Sequence, residues 1–203
     1  MNHSTTIAPS EAHLEEWVYK NLPQFGEYDE DGDWQRYMDF ILDQQYTLPS
    51  GIADFVGRTR LGAFPLCAVE LKKGEIDSRA LAQVLRYMSN LSEFVEIIRQ
   101  SRYMRDRYPY EDLHALYWRR HVSGLLVGHR IEDQNLLIAC AKCDVHVVLY
   151  TYNGEGYVFR QIKDPMAMQK IDDRFIEAHM PLVYTTVDVL EERMRQVRKW
   201  STR

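Results

Sequence analysis

From Phe64 to Leu71 the chain is almost wholly apolar, and a single charge, Glu70, interrupts the run just before it reaches Lys72-Lys73-Gly74. A short apolar run ending at a Lys-Gly turn reads as a buried strand. Side chains alternate across a strand, so Glu70 and Lys72 share one face while Val69 and Leu71 take the other. Any fold for this chain has to bring that strand into its interior and still find a place for the two charges.

The flanking segments say what kind of sheet receives it. Gln45 to Leu48 is extended and ends at Pro49-Ser50-Gly51, a turn signal, and Ile52 to Val56 is a second extended run ending at Gly57. Three short strands joined by turns predict an antiparallel meander. Asp77 or Ser78 then caps a long helix whose apolar stripe is Leu81, Val84, Leu85, Met88, Leu91, Val95 and Ile98. Pro109 breaks that pattern, and residues 111–120 read as helical again. Val122 to Gly128 is a strand, 132–142 a helix, and Val145 to Tyr152 a strand; Tyr157 to Ile162 follows through an Asn153-Gly154 hairpin. Upstream, Ser10 caps a helix with Leu14, Trp17, Val18 and Leu22 at helical spacing, ended by Asn21-Leu22-Pro23. Residues 27–33 form an acidic loop, without the Gly and Glu spacing of an EF-hand. Trp34, Tyr37, Met38 and Ile41 predict a helix over 34–43. Residues 187–199 predict a C-terminal helix. The order helix, three strands, helix, strand, helix, strand predicts an α/β protein: a three-layer α/β/α sandwich around a mixed central sheet.

With 203 residues the chain fits one domain, 1–203, large enough to bury a core without staples. The N-terminus has neither a basic nor an apolar region of a secretory leader, no window approaches a membrane span, and three cysteines suit reduced thiols. These features predict a cytoplasmic protein. The net charge of −5 argues against a simple nucleic-acid coat, but its distribution is uneven. Residues 1–45 carry ten acids against two bases, whereas 99–130 carry seven arginines and 193–203 a further basic cluster.

The chemistry concentrates in 51–88. Asp54 lies on the strand beside Glu70 and Lys72, so two carboxylates and an amine meet where adjacent strands run side by side. Two carboxylates suit a hard cation such as Mg²⁺ or Mn²⁺, and a neighbouring lysine can orient or deprotonate water or stabilise charge on phosphate. Gln83 and Tyr87 follow on one helix face, at i and i+4, and can hydrogen-bond a water or phosphate. The plainer readings are a structural ion pair among Asp54, Glu70 and Lys72, and ordinary helix-edge residues at 83 and 87.

Asp, then Glu-x-Lys at the end of the next strand, then a helix with Gln and Tyr, resembles the PD-(D/E)XK nuclease superfamily, over roughly 11–152. Within it the segment is most similar to the NucS-like and Shedu-like branches, which share an acidic residue in a leading helix. Here Ser10–Pro23 resembles that helix, and Glu11 or, one turn on, Glu15 would supply the acid. The chain departs from the pattern in having Ala53-Asp54 in place of Pro-Asp, and Ile52-Ala53 where the NucS-like branch tends to carry an arginine. The resemblance implies a restriction-endonuclease-like core and a Mg²⁺- or Mn²⁺-dependent deoxyribonuclease. It implies Glu11, Asp54, Glu70 and the Leu71 carbonyl as metal ligands. It implies Asp54, Glu70, Lys72, Gln83 and Tyr87 as the catalytic set. DNA repair, recombination or phage defence are the settings such a nuclease would serve.

Residues 92–120 read as an insertion. Its arginines interleave with tyrosines and Trp118, as phosphate contact and base stacking require; a solvated hairpin or an oligomer contact is the alternative. Cys140-x-x-Cys143 lacks the further ligands of a zinc or iron–sulfur site and reads as packing. DNA is the expected partner. A homodimer, a larger oligomer or a partner subunit stays open, as does a nuclease fold that binds nucleic acid or protein yet is inactive alone.

Overall fold

The computed structural model describes residues 7–61, 66–100 (for 96–100 the backbone alone) and 122–162. Helix α1 (Glu11–Lys20) begins where the Ser10 hydroxyl oxygen accepts the His13 N–H at 3.0 Å, and it buries Leu14 and Val18. A 3₁₀ turn over Leu22–Gln24 places Pro23 where no N–H is needed. Strands β1 (Gly26–Tyr28) and β2 (Trp34–Arg36) make a small hairpin. Its acidic turn is organised by Asp29, whose Oδ1 accepts the N–H groups of Asp31 and Asp33.

Strands β3 (Met38–Leu48), β4 (Gly51–Thr59) and β5 (Leu66–Leu71) form the expected antiparallel meander. Helix α2 (Ser78–Gln100) follows, with the Asp77 carboxylate accepting the Ala80 N–H at 2.9 Å. Then come β6 (Val122–Gly128), α3 (Gln134–Lys142), β7 (Val145–Tyr152) and β8 (Tyr157–Gln161). The main sheet runs β3-β4-β5-β6-β7-β8, with β5–β6 and β6–β7 parallel and the other pairs antiparallel. Every residue of β5 and β6 is buried, as central strands covered on both faces require.

Two hydrophobic cores lie on opposite faces of this sheet. On one, Ala80, Val84, Met88 and Leu91 of α2 and Leu136 and Cys140 of α3 pack on Ala68, Leu126 and Val147. On the other, Leu14 and Val18 of α1 pack with Phe25, Phe55, Val69, Leu125 and Phe159. The architecture is therefore α/β, three layers around a mixed sheet, in the order the sequence predicts. Cys67 and Cys140 are buried packing residues, and all three cysteines are free thiols.

Two expectations need correction. Residues 34–43 are not a helix: they form β2 and the start of β3. The register of β3 against β4 shifts between Met38 and Phe40 and again between Ile41 and Asp43. Of the apolar positions behind that expectation, Trp34 lies in β2, Tyr37 between the two strands, and Met38 and Ile41 in β3, where each shift disturbs the two-residue alternation. The second strand also does not stop at Gly57 but runs on to Thr59. The expected insertion is described only as far as Gln100, where it continues α2; the rest of it and the expected helices at 111–120 and 187–199 lie outside the described residues.

Gly57 is where β4 lies against the bulged part of β3. A Cβ there would come within 2.2 Å of the Phe40 carbonyl oxygen and 2.9 Å of the Met38 methyl. Because the nearer obstacle is backbone, Gly57→Ala is expected to destabilise the fold by about 1–3 kcal/mol, read as a lowered denaturation midpoint. A midpoint equal to wild type would mean that β3 does not approach β4 this closely.

Candidate active site

Strands β4 and β5 pair from Arg58↔Leu66 to Phe55↔Val69 and no further. Beyond that point a side chain takes over from the backbone: Asp54 Oδ2 accepts the Leu71 N–H at 2.6 Å. Regular alternation also breaks here, since Ala53 and Val56 pack in one core while Phe55 packs in the other. The local splay is what lets the Asp54 carboxylate stand between the strands. An extended residue presents its N–H and C=O on the same strand edge, so the Leu71 carbonyl lies on the β4 side with Asp54. The next residue alternates, and the Lys72 N–H goes to Val127 of β6 at 2.7 Å.

Glu70 is 3% exposed. Its Oε1 accepts from Lys72 Nζ at 2.6 Å, while its Oε2 is buried and has no hydrogen-bond partner. Burial, with the Asp54 charge added to it, pushes the Glu70 carboxyl up to about 7 against the opposing pull of Lys72. Burial likewise pushes Asp54 up to about 6; the Leu71 N–H counters this, and the Glu15 charge adds to it. At Lys72 burial pulls downward, but the hydrogen bond and charge of Glu70 outweigh it and the ammonium is held above its ordinary value. A buried acceptor atom with no donor is costly, and a cation would satisfy it. The donor set, two carboxylates and a carbonyl oxygen, is all hard oxygen and fits Mg²⁺ or Mn²⁺. Among the described residues no group of three or more His, Cys, Asp and Glu side chains is placed to hold a metal ion.

Helix α1 contributes both of its candidate acids, one turn apart. Glu11 Oε1 accepts the Lys73 N–H at 3.2 Å and acts electrostatically on Glu70 and Lys72. Glu15 sits on the Asp54 side, where Gln45 Nε2 donates to Glu15 Oε2 at 2.9 Å and to Asp54 Oδ1 at 3.1 Å. Sequence reasoning missed Gln45; nothing about a glutamine in a short polar strand distinguishes it.

Gln83 and Tyr87 are brought together, and burial, with the charges of Glu70 and Asp54 added to it, raises the Tyr87 hydroxyl above its ordinary value against the pull of Gln83. Tyr87 is 2% exposed, and its hydroxyl donates to the Ile52 carbonyl at 2.6 Å and accepts from Gln83 Nε2 at 2.8 Å. Tyr87 thus ties α2 to β4 two residues before Asp54. Gly51 permits the approach: at φ 144°, a Cβ there would meet the Tyr87 hydroxyl at 3.2 Å. Arg130, one of the arginines counted in the basic stretch, pairs with Glu75 and Glu132.

No family model matches the chain, and no curated protein matches it. Among solved structures, it is similar to a repair endonuclease from Pyrococcus abyssi, with 18% identity and a TM-score of 0.44 over 71% of this chain and 48% of that one. It is also similar to EndoMS in the EndoMS-dsDNA2 complex, with 19% identity and a TM-score of 0.37 over 72% of this chain and 46% of that one. The chain spans about half the length of either structure.

The pKa shift of Asp54 has a sign that stability measurements can read. With its carboxyl raised to about 6, the folded state binds more protons than the unfolded state between about pH 4 and pH 6. Stability without metal therefore falls as pH rises through that window. Above it the buried charge is a constant cost of as much as about 3 kcal/mol. In chelator, Asp54→Asn is expected to melt higher than wild type at pH 8 and close to it at pH 4. A difference of equal size at both values would contradict the placement of this carboxylate.

Proposed function

We propose that the chain is a metal-dependent nuclease that hydrolyses phosphodiester bonds in DNA with Mg²⁺ or Mn²⁺. The observation that carries the reading is the meeting of Asp54, Glu70 and Lys72 at the splayed ends of β4 and β5, with Glu70 Oε2 buried and lacking any donor. Asp54, Glu70 and the Leu71 carbonyl would hold the cation, with Glu11 or Glu15 of α1 as the further carboxylate. When bound, such an ion polarises a phosphoryl oxygen and lowers the pKa of a water.

The chain's own residues do the rest. Lys72, tethered to Glu70, keeps its positive charge at the site and can orient a water or stabilise charge growing on phosphate oxygens. Because burial raises the carboxyls of both Glu70 and Asp54 above the ordinary range, their charged forms are disfavoured without metal, and a cation would offset that cost. Tyr87 and Gln83 act as positioning residues through Ile52, since the Tyr87 hydroxyl accepts from Gln83 Nε2 and donates to the Ile52 carbonyl of β4. Phosphate contact falls to the arginines of 99–130 other than Arg130 and to the basic cluster at 193–203. The setting in DNA repair, recombination or phage defence, the assembly with a second copy or a partner subunit, and a cytoplasmic location belong to this reading as proposals.

The test uses the purified chain with labelled single-stranded, duplex and branched DNA. Cleavage is expected with Mn²⁺ or Mg²⁺, is stopped by chelator, and is lost in Asp54→Ala and Glu70→Ala variants that keep wild-type circular dichroism. Millimolar Mn²⁺ should also raise the melting temperature of wild type but not of Asp54→Asn, because a ligand of the folded state alone stabilises it. Cleavage that survives chelator, or an undiminished Mn²⁺ shift in Asp54→Asn, would overturn the reading.

A further inference from the structure

Gln45 is one of two non-glycine residues with positive φ among the described residues, at 51°. That conformation is unfavourable for a glutamine and is kept only where the surroundings impose it; such strain gathers at working sites. Gln45 stands between the register pairs Gln44↔Phe55 and Tyr46↔Ala53, so it faces Asp54 across the β3–β4 ladder. The left-handed backbone accompanies a side chain that donates to Glu15 of α1 and to Asp54 of β4 at once. Only the NH₂ end of an amide can face two carboxylates, and its two N–H groups match the two acceptors. With Oδ2 fixed by the Leu71 N–H and Oδ1 by Gln45, both oxygens of Asp54 have a set direction.

We propose that Gln45 is a positioning residue: its strained backbone aims one amide that locks Glu15 of the leading helix to Asp54, making Glu15 the helix carboxylate that works with Asp54. This rests on the metal-site reading above and adds to it the device that joins helix and sheet. Without Gln45 two like charges would face each other unbridged, and Asp54 would lose one of the two contacts that orient it. Glycine at this position removes the strain and the bridge together. A residue serving only the fold would therefore leave metal binding alone when replaced by glycine, whereas a positioning residue would not.

The experiment has two arms on the full chain. In the first, Mn²⁺ is titrated calorimetrically into wild type, Gln45→Gly, Glu15→Gln and the double variant, with melting temperatures recorded in chelator. Gln45→Gly should melt no lower than wild type, within a degree or two, yet bind Mn²⁺ roughly tenfold or more weakly, as loss of an outer partner of a metal ligand does. The double variant should bind little worse than either single one, because the two residues act as a unit. Wild-type affinity in Gln45→Gly, or losses that simply add, would overturn the proposal. In the second arm the side-chain amide signals of Gln45 are followed by NMR without metal. They should shift in both Glu15→Gln and Asp54→Asn, and an unchanged signal in either variant overturns the bridge. Should wild type bind no Mn²⁺, the metal-site reading fails by itself while the amide signals still decide whether Gln45 joins Glu15 to Asp54.

Discussion

The hydrogen bond from the Leu71 N–H to Asp54 Oδ2 is the contact on which the rest of the site depends. Had β4 and β5 stayed paired, that N–H would have met a backbone carbonyl and Asp54 would have pointed away from the gap. Because pairing stops at Phe55 and Val69, a carboxylate occupies the gap, and the neighbouring strand delivers Glu70 and Lys72 within reach. The parallel partner β6 keeps β5 fixed on its other edge through Lys72 N–H to Val127. One edge of β5 is thus rigid scaffold and the other is site, a division that suits groups whose geometry matters.

The site is costly to the fold. Glu70 is buried with one oxygen unpartnered, and burial raises both carboxyls above their ordinary range. A chain selected only for stability could replace the pair with apolar residues, which often equal or exceed a buried ion pair. The scaffold instead spends further contacts on holding the charges. Tyr87 anchors the strand before Asp54, Glu11 meets the loop after Lys72, and Gln45 tethers Glu15. Three elements, α1, β3 and α2, converge on two neighbouring strand ends.

Much of this was legible in the sequence for a physical reason. Continuous burial of β5 and β6, the turn at Pro49-Ser50-Gly51 and the cap at Asp77 are local signals, and each element they predict is present. Helical spacing over 34–43 arises where β2, the connection at Tyr37 and the shifted start of β3 follow one another; register shifts are set by the partner strand, which a single segment does not reveal. Helix periodicity places Tyr87 beside the strand end, and the tertiary contact adds that its hydroxyl donates to the Ile52 carbonyl. Gln45 gives no such signal, since its contacts accompany a backbone conformation that no residue-type preference foretells.

In the proposed nuclease Lys72 acts in catalysis while Asp54 and Glu70 hold the ion, and one measurement separates these roles most directly. Lys72→Ala, compared with wild type under single-turnover conditions in Mn²⁺, should lose DNA cleavage by about a hundredfold or more while keeping the Mn²⁺-induced rise in melting temperature. Cleavage at the wild-type rate in that variant would contradict the account, because the amine beside Glu70 would then be no more than half of an ion pair.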